Sequence, residues 1–222
     1  MKPELIDYLS GFVTEQRKNL FEETIKWRTR YLTVALENIY QAQNASAVLR
    51  TCDCFGIQDV HIIENENSYN INPDVALGSN KWLSMQYHNK NNSNTIEAIN
   101  HLKQAGYRIV ATTPHANDVN LDSFNLEAGK AALLFGTELN GLSNVALEMA
   151  DEYVKIPMFG FTESFNISVS AAIILHTLTN KLRASKKINW QLSEFEKESI
   201  LLGWYKSSIK NAEGIINKYV NK

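Results

Sequence analysis

Cysteine, proline and long apolar stretches are scarce in this sequence of 222 residues. Its two cysteines, Cys52 and Cys54, lie two positions apart in a stretch that reads as helical, where such side chains point in different directions. They predict neither a disulfide nor a metal site, and we expect no metal. The longest apolar run, Val169–Leu178, is interrupted by polar residues and is too short to cross a bilayer.

The N-terminal end lacks the features of a secretory signal. Glu4 and Asp7 stand where a signal peptide needs a basic region followed by an apolar run. We therefore expect a cytoplasmic protein without a membrane span. Hydrophobic residues make up 44% of the chain, which is enough for a sizeable core, so we do not expect a disordered or fibrous protein.

The net charge is only −2, but its distribution is uneven. Residues 31–180 contain seven basic and fifteen acidic residues, a net charge of −8, whereas residues 181–222 contain nine and four, a net charge of +5. A basic end could present a local patch to a polyanion. A solvated, Lys-rich terminal helix is the alternative, which charge alone slightly favours.

The middle of the chain alternates short β-rich runs with helical patterns, which predicts an α/β fold with a mostly parallel sheet and helices on both faces. The expected strands are Leu32–Leu36, Val60–Ile63, Arg108–Ala111, Ala131–Phe135 and Tyr153–Ile156. The expected helices are Ala45–Phe55, Thr95–Ala105, Asn144–Met149 and Ile167–Arg183. Glu64–Asn94 is rich in Asn and Ser and is expected to be a long, partly irregular connection.

Both ends read as helical extensions of this core. We expect an N-terminal extension over residues 1–30, a central domain over residues 31–184 and a C-terminal extension over residues 185–222. Ser193 and Glu196 have the spacing of a capping box, and a long helical pattern with an apolar stripe follows them. Lys206 and Lys210 fall away from that stripe.

Three segments follow predicted strands and carry polar residues. In the first, Asn44 either caps a helix or has a chemical role in the site. Arg50 either forms an ion pair with Asp53 or also has a chemical role in the site. The second is a glycine-flanked loop around Glu138, where glycine allows either a tight turn or the close approach of a ligand. In the third, after Ile156-Pro157-Met158, Ser164 and Asn166 are either caps or site residues.

The order and separations of these segments place all three at the carboxyl ends of predicted parallel strands, where α/β sheets bind ligands. Over about Thr33–Leu182 the set Asn44…Arg50, Gly136-x-Glu138-x-x-Gly141 and Ile156-Pro157-Met158…Ser164-x-Asn166 resembles the SpoU/TrmH family of knotted RNA methyltransferases. The resemblance implies a C-terminal trefoil knot (the SPOUT fold), which composition does not predict. It also implies S-adenosylmethionine as cofactor, a homodimer through the knotted region, and methylation of an RNA ribose 2′-hydroxyl.

The resemblance also suggests an RNA substrate. The short basic ends resemble those of the tRNA-directed branch, and the separate N-terminal domain of many rRNA-directed relatives is missing, so we expect tRNA as the substrate and a D-loop guanosine as the target. An rRNA ribose methyltransferase and a non-catalytic RNA-binding protein on the same fold are the alternatives. Ala42-Gln43 stands where many tRNA-directed members carry Pro-His, which leaves the target nucleotide open.

The roles implied for individual residues fall into three groups. The catalytic residues would be Asn44, Arg50, Glu138, Ser164 and Asn166. The cofactor would contact Thr112, Gly136, Ile156 and Phe165. RNA phosphates would be bound from the basic ends by Arg17, Lys26, Arg28, Arg30, Lys206 and Lys210. Arg50 would act either as a general base or, because a guanidinium is reluctant to deprotonate, as a bidentate phosphate ligand.

Overall fold

The computed structural model describes residues 2–69, 72–91, 93–113 and 119–221. The chain forms two compact units. Residues 30–190 make up the larger unit, and the two ends, up to residue 29 and from residue 191, make up the smaller one. None of the helices within the described ranges is long and apolar enough to cross a membrane.

Parallel strands form the centre of the larger unit. The strands in the described ranges are β1 Leu32–Glu37, β2 Asp59–Ile63, β3 Ser84–His88, β4 Arg108–Thr112, β5 Val119–Asn120, β6 Ala131–Phe135 and β7 Glu152–Lys155. They pair in the order β3-β2-β1-β6-β4-β7-β5, and every pair is parallel. Every residue of β1, β2 and β6 is buried, as expected for a sheet covered on both faces.

Helices cover both faces of this sheet. The α-helices of the described residues are α1 Lys2–Ser10, α2 Glu15–Ile25, α3 Ala42–Cys54, α4 Pro73–Ala76, α5 Asn94–Gln104, α6 Asn144–Met149, α7 Ile167–Ala184, α8 Glu194–Ser208 and α9 Ala212–Val220. Val34 and Leu36 of β1 belong to the apolar cluster that includes α3 and α7, whereas Ala35 belongs to the one that includes α5 and α6. This alternation follows from the two-residue repeat of a strand.

The five predicted strands and the four predicted core helices are confirmed, with ends that differ by at most three residues. The irregular connection expected over Glu64–Asn94 is wrong in part, because it contains α4 and the edge strand β3. The first three residues of β3 are intermediate in exposure, Tyr87 is exposed and His88 is buried. An edge strand with this polar sequence needs no apolar run, so hydrophobic periodicity did not indicate it.

The smaller unit consists of α1, α2, α8 and α9. Phe21 packs against the rings of Trp204 and Tyr205, with centroid distances of 5.5 and 5.2 Å. The capping box between Ser193 and Glu196 is present. The single long C-terminal helix is wrong: the chain turns between α8 and α9, where Asn211 adopts a left-handed conformation with φ of 58°. Asparagine tolerates this conformation better than most residues.

Candidate active site

Three polar segments meet at the carboxyl ends of neighbouring strands. Asn44 lies in the first turn of α3, which follows β1; Glu138 lies in the loop after β6; and Asn166 precedes α7, which follows β7. Because β1 and β6 are adjacent and β7 lies beyond β4 in the same parallel sheet, these segments emerge at one edge. The sheet thus brings together side chains that are 94 and 122 positions apart in the sequence.

Asn44, Glu138 and Asn166 form a closed hydrogen-bonded group, called the polar triad below. The side-chain amide of Asn44 donates to Oε1 of Glu138 at 2.8 Å. Nδ2 of Asn166 donates to the same oxygen and, at 3.1 Å, to Oδ1 of Asn44. Asn44 also donates to Oε1 of Gln41 at 2.9 Å. Each carboxamide therefore has its donors engaged, which fixes its orientation.

The helix ends explain how these side chains become available. We predicted Asn44 as a possible cap of its helix; this is wrong, because α3 begins at Ala42 and its N-cap residue is Gln41. The Asn44 side chain is consequently directed to the triad. Asn166 does cap α7: its Oδ1 accepts from the backbone N–H of Ser168 at 2.9 Å and from the Ser168 hydroxyl at 2.6 Å. The oxygen of the Asn166 carboxamide thus caps α7, whereas its nitrogen makes the hydrogen bonds within the triad.

Two glycines shape the loop that carries Glu138. Thr137 and Gly141 exchange backbone hydrogen bonds of 2.9 and 3.0 Å, which closes the turn. Gly141 has φ of 66°, a conformation that favours glycine. A Cβ atom on Gly136 would lie 2.1 Å from the backbone of Gly141, so a side chain there is sterically impossible without a shift of the loop. The glycines are thus required by the backbone that positions Glu138.

A cavity of about 320 Å³ lies on one side of this loop. All four residues predicted to contact a cofactor line it, as do Glu138 and Ser164. Its other acidic lining residue is Glu163, and no Lys, Arg or His occurs among the described residues that line it. The four lining residues that were predicted to contact the cofactor are Thr112, Gly136, Ile156 and Phe165.

A smaller cavity, of about 160 Å³, lies beside Asn44. Tyr40, Gln41 and Asn67 contribute to its lining. Both cavities share the residues that form the wall between them: Thr137, Glu138, Leu139, Asn140 and Ile167. The Glu138 loop therefore separates two adjacent spaces, and the polar triad lies at this wall.

Known sequences and structures match this arrangement. The sequence pattern of the SpoU rRNA Methylase family matches residues 31–176. This chain belongs to that family. The resemblance inferred from the three motifs is thereby confirmed, and with it the expectation of a methyltransferase.

Relatives of the SpoU family resemble the chain over most of its length. The tRNA (guanosine(18)-2′-O)-methyltransferase of Borreliella burgdorferi is 45% identical over 96% of this chain and 94% of its own length. The crystal structure of the Aquifex aeolicus TrmH/SpoU tRNA modifying enzyme superimposes with a TM-score of 0.78 at 29% identity, covering 89% of this chain and 98% of that one. The SpoU methyltransferase AviRb from Streptomyces viridochromogenes, solved with AdoMet, shares the fold (TM-score 0.59, 21% identity, coverage of 74% and 62%).

Two of the five catalytic residues that the SpoU resemblance implied are not part of the triad. Arg50 is exposed and lines neither cavity, and its side chain forms no hydrogen bond or ion pair with the residues that the structure describes. The alternative pairing with Asp53 is therefore absent, because Arg50 has no ionic partner within the described ranges. Ser164 lines the larger cavity without a hydrogen bond to the triad.

The basic residues predicted to bind RNA have different surroundings. Arg17, Lys26 and Lys210 are exposed, and Lys26 pairs with Glu23 at 2.6 Å. Arg28 is only 2% exposed, with its guanidinium 5.3 Å from the ring centroid of Trp204, so the structure does not support a phosphate contact there. The remaining two form ion pairs within their own units: Arg30 with Asp59 and Lys206 with Glu213.

Sequence reasoning missed the residues that support the site. Asn38 has φ of 59°, and its Oδ1 accepts backbone N–H groups from three consecutive residues, 65 to 67, at 2.9 to 3.3 Å. Glu37, which is buried at the end of β1, accepts from the hydroxyls of Thr95 and Ser143 at 2.6 and 2.7 Å. An Asn after a strand is a weak signal for a turn, whereas the partners of Glu37 are too distant in sequence to be predicted.

A histidine cluster lies on β2, β3 and α5, outside the described cavities. Nδ1 of His61 is 3.0 Å from Nε2 of His88, and both rings lie about 6 Å from that of His101. Burial lowers the pKa of His61 to about 3, with smaller contributions from His88 and His101. Burial likewise lowers the pKa of His88, whereas nearby Glu97 opposes that shift. Among the described residues, no group of His, Cys, Asp and Glu is arranged to hold a metal ion.

Proposed function

We propose that this protein transfers a methyl group from S-adenosylmethionine to the ribose 2′-hydroxyl of a tRNA guanosine, at position 18 in the D-loop. The observation that carries the proposal is the polar triad at the wall shared by two cavities. We assign the larger cavity to the methyl donor and the smaller one to the acceptor. The Borreliella burgdorferi relative, whose name states this reaction, supports the choice of substrate.

The larger cavity has the size and chemistry that S-adenosylmethionine requires. Its volume of about 320 Å³ lies within the range of small-molecule sites. Glu138 and Glu163 line it without an opposing basic side chain among the described lining residues, which suits a positively charged sulfonium. We assign cofactor contacts to Thr112, Gly136, Ile156 and Phe165, in part through main-chain groups at the strand ends.

The residues of the chain provide orientation rather than covalent chemistry. Bound S-adenosylmethionine supplies an electrophilic methyl group, and the nucleophile is a ribose hydroxyl that is barely ionised at neutral pH. Alignment of the hydroxyl is then a large part of catalysis. Glu138 holds the carboxamides of Asn44 and Asn166 in fixed orientations, so that the wall of the acceptor cavity is rigid. We assign Glu138 a positioning role and Asn44, Asn166 and Ser164 to the acceptor and donor surfaces.

Arg50 requires a different explanation. Because a guanidinium remains protonated in proteins, we assign it to a phosphate of the target RNA, and a phosphate or water would take the proton. Its lack of a protein partner within the described ranges leaves the planar donor fork available for such a contact. As Arg50 lines neither cavity, we also propose a homodimer in which the site draws on two chains.

The remaining assignments follow from this function. We propose a catalytic domain over residues 31–184 flanked by helical extensions, in which Arg17, Lys26 and Lys210 contact RNA and give salt-dependent affinity. We propose a trefoil knot, which is supported by the insertion of β6 between β1 and β4 and of β7 between β4 and β5 in a parallel sheet. A tRNA substrate suits a cytoplasmic location.

One experiment tests the proposed function directly. The protein is incubated with labelled S-adenosylmethionine and either unmodified tRNA or rRNA, and methylated riboses are mapped as nuclease-resistant dinucleotides. We expect label at guanosine 18 of tRNA and none in a tRNA that carries 2′-deoxyguanosine there. Label in rRNA alone would contradict the substrate, and label in neither RNA, with cofactor bound, would contradict the activity.

A further inference from the structure

Two large hydrophobic side chains are exposed at the mouth of the smaller cavity. Tyr40 is 80% exposed and Leu139 is 95% exposed, and both line this cavity. A single exposed apolar residue is common on protein surfaces, but two that line one concave space next to a polar group have the composition of a binding site. Tyr40 lies outside the family motifs that identified the chain, and Leu139 stands at an unspecified position of the Gly136-x-Glu138-x-x-Gly141 motif.

The wall that carries Tyr40 is held in place before any ligand arrives. The left-handed conformation of Asn38 turns the chain just before Tyr40, and the Asn38 side chain binds the backbone of residues 65–67. Asn67 returns a hydrogen bond of 3.0 Å to the carbonyl of Asn38. Because Asn67 also lines the cavity, this reciprocal contact ties two parts of its wall together. Such support reduces the ordering cost of binding.

The size and lining of this cavity suit one aromatic base. A volume of about 160 Å³ is half that of the larger cavity. An engineered protein cavity of about 150 Å³ holds a benzene molecule. Asn140 lines the space and makes no side-chain hydrogen bond to the described residues, so its carboxamide can pair with the edge of a base.

We infer that the smaller cavity binds the nucleobase of the target nucleotide, with the ring of Tyr40 stacked on it. The inference rests on the proposed function, since it assigns the base whose ribose is methylated. With the base in the smaller cavity, the ribose lies at the wall that contains the polar triad and faces the larger cavity. Enzymes that modify a base extrude it from the helix and hold it between aromatic or apolar side chains. Proteins that recognise unpaired RNA likewise stack the exposed bases on aromatic side chains.

Substitutions at Tyr40 test this assignment. Tyr40→Phe keeps the ring and Tyr40→Ala removes it, and Tyr87→Ala is a matched control because Tyr87 is 45% exposed and lines neither cavity. We expect kcat/KM for tRNA to fall by roughly ten- to hundredfold in Tyr40→Ala, the range for loss of one stacked base, and to change little in the other two. Affinity for S-adenosylmethionine, measured by calorimetry, should be unchanged in all three.

A fluorescent base gives a second readout. In tRNA with 2-aminopurine at the target position, stacking on the phenol ring quenches the fluorescence, so we expect the bound tRNA to be brighter with Tyr40→Ala than with the wild type or Tyr40→Phe. Equal kcat/KM and equal brightness in wild type and Tyr40→Ala would overturn the inference while leaving the proposed function intact. A parallel loss of cofactor affinity would also overturn it. Absence of tRNA methylation by the wild type would instead refute the proposed function.

Discussion

The side-chain amide of Asn44 donates to Oε1 of Glu138 at 2.8 Å, although the two residues are 94 positions apart in the chain. That oxygen also accepts from Asn166, so one carboxylate connects the segments after β1, β6 and β7. Because all three side chains are at least partly exposed, we expect this connection to affect activity more than stability.

Removal of the Glu138 carboxylate should impair methyl transfer without unfolding the protein. We expect Glu138→Ala to lower kcat by at least about tenfold, because hydrogen bonds to a charged group contribute about 1.5–3 kcal/mol each. Glu138→Gln retains an acceptor oxygen and should lie between Ala and wild type. Glu148→Gln, an exposed glutamate on α6 that lines neither cavity, is the control. Wild-type kcat in Glu138→Ala, measured with saturating tRNA, would contradict the positioning role.

Substitutions at Arg50 test whether methyl transfer requires only a positive charge at this position or also the planar geometry of the guanidinium group. Arg50→Ala should abolish most methyl transfer, and Arg50→Lys, which keeps the charge but loses the planar fork, should remain strongly impaired. Single-turnover rates with tRNA measure both, and thermal melting checks the fold, which an exposed side chain should not affect. Near-normal rates in Arg50→Lys would mean that positive charge is sufficient and that bidentate phosphate binding is not required.

Gly136 should tolerate no side chain. In Gly136→Ala the new Cβ would lie 2.1 Å from the Gly141 backbone, so the loop must shift and we expect affinity for S-adenosylmethionine to fall at least about tenfold. Gly203→Ala provides the comparison, because no atom lies within 4 Å of its added Cβ. There we expect unchanged affinity and up to about 1 kcal/mol greater stability, since alanine favours a helix. Calorimetric binding and denaturant unfolding measure the two effects.

Stability should fall as the pH is lowered below about 6.5. His61 has a folded-state pKa of about 3, whereas its unfolded value is about 6.5, so between these pH values only the unfolded chain takes up the proton. The stabilisation is complete above the unfolded value and is lost as the pH falls towards 3, with a slope of at most about 1.4 kcal/mol per pH unit from this group.

Urea unfolding at a series of pH values tests the histidine effect. His61→Gln should flatten the pH dependence, although the neighbouring His88 retains a contribution of the same sign. His176→Gln, at an exposed position on α7, should leave the slope unchanged. A wild-type slope that survived in His61→Gln would show that other groups dominate.

The core elements could be predicted because burial on both faces of the sheet requires nearly continuous apolar strands. Leu32–Glu37 and Ala131–Phe135 have this character, and their ends were predicted to within one residue. The edge strand Ser84–His88 pairs on one side only and has polar, partly exposed residues. Its position depends on pairing with Asp59–Ile63, which local sequence does not encode.

Local patterns indicated candidate site residues but not the contacts between them. The spacing of Asn44, Glu138 and Asn166 indicated a family site, yet their hydrogen bonds depend on how the chain crosses between the parallel strands. Tyr40 and Leu139 had no signal, because an aromatic or apolar residue in a loop is ordinary in any sequence. Arg28 shows the converse: it belongs to a basic stretch, but packing against Trp204 buries it.

The single carboxamide of Asn166 both caps the first turn of α7 and donates a hydrogen bond to Glu138. Heating that frays the first turn of this helix would release the amide and free the Glu138 loop while the sheet is still intact. We therefore expect thermal inactivation to precede global melting, so that the temperature at which methyl transfer is lost lies below the unfolding midpoint. Selection for heat resistance in this enzyme would then act first on one helix terminus rather than on the core.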